Sequence, residues 1–147
     1  MVVYRRPESV LVVIYTQKSE VLVLQRTQPF SFWQSVTGSL HKNESKNTAA
    51  SRELLEETGL TDQGELIDRR TERTFYIDPR WQNRYQSFDK TNSEYEFHYI
   101  LEDKCEIKLD AREHHQYRWL RISEAIDKVW SWTNKEALKR LAVELKM

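Results

Sequence analysis

Six consecutive apolar residues, Val10 to Tyr15 (VLVVIY), are too few for a helix face and rich in β-branched side chains. They predict a strand buried on both faces. A polar interval from Gln17 to Glu20 separates this run from Val21 to Leu24 (VLVL), its expected hairpin partner. Trp33 to Thr37 (WQSVT) predicts a third strand, stopped by Gly38. From Ser45 to Thr58 the spacing turns helical, with Ser45 as N-cap and Gly59 as the C-terminal stop. Leu60 to Phe75 and Glu94 to Leu101 predict further strands, the second alternating in polarity (EYEFHYIL). Between them, Asp78 to Asn92 is polar, contains Pro79 and predicts an exposed loop. Ile107 to Leu109 and Tyr117 to Leu120 predict short strands, and Ser123 to Lys128 and Asn134 to Leu145 predict helices. Strands and helices do not strictly alternate, which implies an α+β fold with a mixed sheet between helices.

Composition sharpens this picture. Aromatic residues make up 12% of the chain, enough large apolar surface to argue for a packed core rather than disorder. Three Gly and three Pro leave no room for a flexible linker, so residues 1–147 read as one domain. No apolar run approaches the ~20 residues needed to cross a bilayer, and no leader pattern is present. The single cysteine, Cys105, excludes an intrachain disulfide and a cysteine-based zinc site, which suits a reducing cytoplasm. Neither Cys105 nor the four His show nucleophile or ligand spacing, and no role is predicted for them. Lys and Arg balance Asp and Glu at 23 each, a composition poorly suited to nucleic-acid binding. An anionic ligand must then be held by a local cluster or by metal ions. Oligomeric state is not legible at this level.

Chemistry concentrates in one segment. GSLHKNE runs from Gly38 to Glu44, and RELLEETGL from Arg52 to Leu60. On a helix, Glu53 and Glu57 lie about 40° apart and Glu56 about 60° to the other side, so three like charges share a face. One reading is a solvated acidic face; the other is a hard cation relieving the repulsion, for which oxygen ligands suit Mg2+ or Mn2+. Ala49 falls on the same face one turn earlier and leaves access to such ions. Arg52 lies off that face and is placed to pair back to Glu44.

The segment resembles the complete Nudix box, G-x5-E-x7-R-E-U-x-E-E-x-G-U, with every fixed position filled and Leu at both aliphatic sites. That resemblance implies an α/β/α sandwich in which a loop-helix-loop holds divalent cations against a pyrophosphate. It implies hydrolysis of a phosphoanhydride by water directed onto phosphorus. The catalytic carboxylates are then Glu53, Glu56 and Glu57, with Gly38, Glu44, Arg52 and Gly59 structural. One departure is Asn43 where the family usually has glycine; asparagine tolerates left-handed backbone, so the loop should survive.

Stretches outside the box resemble a bacterial branch of the family that removes pyrophosphate from a pterin triphosphate in folate synthesis. They are RRPESVLVVIY from Arg5, FWQSVTG from Phe32, EHHQYRWL from Glu113 and WSWTN from Trp130. This likeness implies Glu53, Glu57 and Glu113 as Mg2+ ligands. It implies substrate contacts at Arg5, Arg26, Thr37, the stretch Phe75, Tyr76, Ile77 and Asp78, and Ser131. Several of these have an ordinary alternative: Glu113 as a loop glutamate, Arg26 as a surface cation, Phe75 and Tyr76 as core, and Ser131 as a helix N-cap. The rival substrates are dATP or oxidised purine triphosphates, cleaved by the same chemistry. A non-catalytic nucleotide-binding module is the other class, disfavoured by the full set of box carboxylates. The expected partner is a small-molecule triphosphate, without nucleic acid or membrane.

Overall fold

A computed structural model describes residues 3–146. The VLVVIY run lies in β1 (Glu8–Thr16), and β2 (Glu20–Arg26) returns antiparallel through a tight turn, with Tyr15 opposite Val21. Next come β3 (Phe32–Gln34), β4 (Val36–Ser39), α1 (Lys46–Thr58), β5 (Glu65–Tyr76) and β6 (Thr91–Leu101). The chain ends with β7 (His114–Arg121), α2 (Ile122–Lys128) and α3 (Trp132–Glu144). β1 is the centre of one mixed sheet: it runs parallel to β6 over nine residue pairs and antiparallel to β4 from Ser9 to Val12. β2 diverges from it to pair with β7 and β3, while β5 closes the far edge on β6.

Alternation along β1 explains the layers, since successive side chains point to opposite faces. Val10, Val12 and Ile14 pack under α1 with Ala49, Ala50 and Leu54. Leu11, Val13 and Tyr15 pack under α2 and α3 with Ile122, Ala125, Leu138 and Leu141. Fully burying each such Leu or Ile stabilises the fold by ~1.5–3 kcal/mol. The sheet therefore needs helices on both sides, and the α/β/α sandwich follows.

Four local expectations need correction. Trp33 to Thr37 is not one strand: it breaks at Ser35, whose N–H donates to Asn134 Oδ1 (2.8 Å) and whose Oγ accepts from Asn134 Nδ2 (3.0 Å). Gly38 does not stop a strand; it lies inside β4, opposite Val10. Leu60 to Gly64 forms turns before β5 begins at Glu65, because Leu60 is claimed by the core beneath α1. Ile107 to Leu109 is no strand: the Lys108 N–H donates to Thr58 O (2.9 Å), tying the segment to the end of α1 rather than to the sheet.

β6 carries both faces of its EYEFHYIL pattern inside the molecule. Phe97, Tyr99 and Leu101 join the α1 side, while Asn92, Glu94, Glu96 and His98 are buried on the other. Burial would raise the Glu96 carboxyl, but hydrogen bonds from His98 (2.6 Å) and Arg73 (2.5 Å) overcome it and hold it at about 2.

Candidate active site

The box folds as a clamp around α1. Ser45 caps the helix, its hydroxyl accepting from Thr48 N at 3.2 Å, and Gly59 closes it in left-handed backbone at φ 77°. Asn43 takes φ 62°, so the loop keeps the left-handed turn that glycine would supply. Glu44 accepts from Arg52 Nε and Nη2 (2.8 and 2.9 Å) and from the His41 N–H. The bonds from Arg52 come first in holding the Glu44 carboxyl down at about 2. Arg52 Nη1 donates to Glu53 (2.8 Å) and Glu56 (3.2 Å), and Nη2 donates to Ser39 O (3.0 Å), fastening the helix to β4. Arg52 thus orders the motif rather than facing the cleft.

The three box glutamates separate. Glu53 and Glu57 are buried, whereas the Glu56 side chain is half exposed. The Glu53 carboxyl fills the space beside Gly38 that a β-carbon would take. Burial pushes its pKa up to about 7, against the opposing pull of Arg52. Glu57 is 1% exposed and neither carboxyl oxygen has a hydrogen-bond partner among the described residues. Burial, then the charges of Glu53 and Glu113, push it well above the usual carboxylate range.

His114 was not anticipated. It lies opposite Arg26 at an irregularity in the β2–β7 pairing, and its Nε2 stands 3.5 Å from Glu57 Oε1 and 3.2 Å from Gln34 Nε2. Burial and the nearby Arg26 push the imidazole down to about 4. Glu113, exposed in the turn before β7, reaches over the pair. Donor atoms of Glu57, Glu113 and His114 all lie within 4.8 Å of one another. The unpartnered Glu57 carboxyl, repelled by Glu53 and Glu113 beside a neutral imidazole, fits a divalent cation. Glu53 stands next to this trio without being part of it. Its position next to Glu113 in the EHHQYRWL stretch was the available signal, and the pairing of β7 with β2 brings it to α1.

A cavity of about 520 Å³ opens beside this cluster, and every predicted substrate contact lines it. Arg26 lies opposite His114 and Thr37 precedes Gly38 in β4, which sets both toward the box, while Arg5 lines the same cavity. Arg84, in a short 3-10 turn inside the predicted loop, gathers with Arg5 and Arg26; burial first, then these two charges, lower its pKa. Phe75 and Tyr76 do not share a side. Phe75 is half-buried and Tyr76 is 83% exposed, so neither joins the core. Ile77 is buried, its N–H donating to Lys90 O. Asp78 is taken up by Arg80, which holds its carboxyl at about 2. Ser131 is the N-cap of α3, accepting from Asn134 N at 3.1 Å, and also lines the cavity.

The aromatic wall comes from elsewhere. Phe30, Phe32, Trp81 and Trp130 form one cluster with ring centroids 4.7–5.8 Å apart, and Arg80 lies over Phe30 at 3.9 Å. The polar segment from Asp78 to Asn92 is therefore more than an exposed loop: Trp81 packs on this wall and Asn92 lies buried in β6. At the cavity floor stand Asn92 and Glu94, neither singled out by the sequence.

A sandwich of this topology, with a box-clamped acidic helix facing a ring-sized cleft, defines a phosphoanhydride hydrolase of the Nudix kind. The chain belongs to that family: the NUDIX domain model matches residues 5–141. It is similar to the dihydroneopterin triphosphate diphosphatase of Escherichia coli K12, 37% identical over 145 residues, covering 96% of this chain and 95% of the relative. The protein of the same name from Haemophilus influenzae is 33% identical over 154 residues, covering 99% and 94%. The solved structure of the E. coli dihydroneopterin triphosphate pyrophosphohydrolase superimposes with a TM-score of 0.90 over 97% of this chain and 99% of that one. No described helix is long and apolar enough to cross a membrane.

Proposed function

We propose that this chain, as a single domain, is a Mg2+-dependent pyrophosphohydrolase that converts 7,8-dihydroneopterin triphosphate to dihydroneopterin monophosphate and pyrophosphate, in the cytoplasm and as a step of folate synthesis. The carrying observation is that the acidic cluster at Glu57, the arginines and the aromatic-walled cavity share one cleft. The likeness to the E. coli and H. influenzae proteins over nearly the whole chain supports the pterin substrate.

Glu53, Glu57 and Glu113 would hold the ion, with the His114 imidazole beside them; Mn2+ suits this mixed donor set as well. When bound, a divalent ion neutralises phosphate charge and acidifies water. Arg5 and Arg26 grip the phosphate chain by charge-assisted hydrogen bonds. Glu53, Glu56 and Glu57 are the carboxylates at the reacting bond, Thr37 lies at the pocket wall, and Phe75, Tyr76, Ile77, Asp78 and Ser131 border the ring. Water adds to phosphorus and the bond between the α-phosphate and the departing pyrophosphate breaks. A pyrophosphate-release screen tests this reading, comparing dihydroneopterin triphosphate with the (d)NTPs and dinucleoside polyphosphates. The pterin compound should give the highest kcat/KM; a purine triphosphate exceeding it would transfer the assignment to nucleotide hydrolysis.

A further inference from the structure

Two acceptors at the cavity floor have no explanation in the phosphate chemistry. Glu94 is 6% exposed and its Oε1 has no hydrogen-bond partner among the described residues. Asn92, two residues earlier on the same face of β6, is 1% exposed and is equally unpartnered at Oδ1. Its Nδ2 donates to Ser9 Oγ at 2.8 Å, so the amide is fixed with the carbonyl left over. Both residues line the cavity that also carries Phe32, Trp81 and Trp130. A buried acceptor left unsatisfied is costly, and more so when charged, so this pair at a cavity wall is suited to a ligand that donates to it. Burial raises Glu94 to about 7, consistent with a carboxyl awaiting donors; the Thr133 hydroxyl and Arg73 only partly offset this.

We propose that Glu94, with Asn92 beside it, is the ring-recognition site, taking a fused heterocycle that presents an amino group next to a ring N–H. A carboxylate matches two adjacent donors with its two oxygens, the geometry that makes paired charge-assisted hydrogen bonds selective. The pyrimidine edge of a pterin offers that donor pair. Adenine offers a donor beside an acceptor, which sets a lone pair against a carboxylate oxygen. The assignment rests on the proposed function for the identity of the ring and adds the residues that read it.

The test uses Glu94→Gln, which keeps shape and replaces one acceptor oxygen by a donor. Dihydroneopterin, without phosphates, is titrated by its fluorescence into the native and variant proteins; KM and kcat are measured for dihydroneopterin triphosphate, dGTP and dATP. Dihydroneopterin affinity should fall about 10- to 100-fold, as for a lost charged hydrogen bond. KM for the pterin triphosphate should rise similarly with kcat within about threefold, while KM for dATP changes less than about threefold. Unchanged dihydroneopterin affinity in a variant with a native melting curve would overturn the assignment. If the native protein ignores the pterin triphosphate, the proposed function fails by itself, and dGTP decides for Glu94, since guanine carries the same donor pair. A KM rise for dGTP alone upholds the site, and equal changes for dGTP and dATP overturn it. Should Glu94→Gln fail to fold, Glu94→Asp keeps the charge but retracts it by a methylene and should show the same selective loss in smaller measure.

Discussion

Gly38 and Glu53 occupy one space: a β-carbon on the first would overlap the carboxyl group of the second. The backbone there is ordinary strand, so the glycine serves close approach rather than a turn. Gly38→Ala should therefore displace Glu53 and lower kcat by about 100-fold, the scale of a ~1 Å misplacement in a catalytic group. Steady-state kinetics beside a melting curve checks this; native kcat would show that Glu53 moves without consequence.

Glu57 is buried and neither carboxyl oxygen has a hydrogen-bond partner among the described residues, an arrangement suited to an ion. Glu57→Gln should abolish turnover while the melting temperature without divalent ions stays level or rises, because a repelling carboxyl is removed. Turnover within a few-fold of the native value would exclude Glu57 as a required ligand.

For Glu113 the discriminating readout is the ion. Glu113→Gln should reduce kcat and raise the Mg2+ concentration for half-maximal rate by about tenfold or more, the scale of a perturbed metal site. A normal Mg2+ profile would return Glu113 to the status of a loop residue.

Ser131 has a structural role already visible in its bond to Asn134 N. Ser131→Ala should cost about 1 kcal/mol of stability, lowering the melting temperature by a few degrees. KM for dihydroneopterin triphosphate is read in parallel. A raised KM with an unchanged melting curve would show that contact with substrate outweighs capping.

Glu94 ties stability to pH. Its carboxyl sits at about 7 in the folded chain and near 4.5 when unfolded, because burial outweighs Thr133 and Arg73, with Glu96 adding repulsion. Between those values the folded protein holds a proton that the unfolded chain has released. Its stabilising contribution is thus complete below pH 4.5 and is lost as pH rises through about 7. The loss is roughly 3 kcal/mol at most. Melting of the ligand-free protein from pH 5 to 8 should show this decline and Glu94→Gln should flatten it; parallel profiles would show that Glu94 is not its source.

Much of the site's local frame was legible beforehand. Ser45, Gly59, Asn43 and the Glu44–Arg52 pair behave as their sequence positions predict, because caps, left-handed turns and a clamp within one loop-helix unit are short-range effects. Likewise, β-branched runs dictated β1 and β2, and helical spacing between its caps dictated α1.

What tertiary structure decided is where long-range pairing overrides those signals. The break at Ser35 depends on Asn134, 99 positions away, which satisfies the backbone that a continuous strand would have paired. His114 meets Glu57 only because β7 pairs with β2. Glu94 is buried beside Thr133 at the start of α3, a placement invisible in an alternating pattern that reads equally well with its polar face in water. By itself the sequence determined the mixed α/β elements, the acidic helix and its clamp, since these follow from neighbours along the chain. The third partner at the acidic cluster, the aromatic wall and the acceptors at the cavity floor were left to the fold, because they are contacts between segments whose registers only sheet pairing and helix packing set.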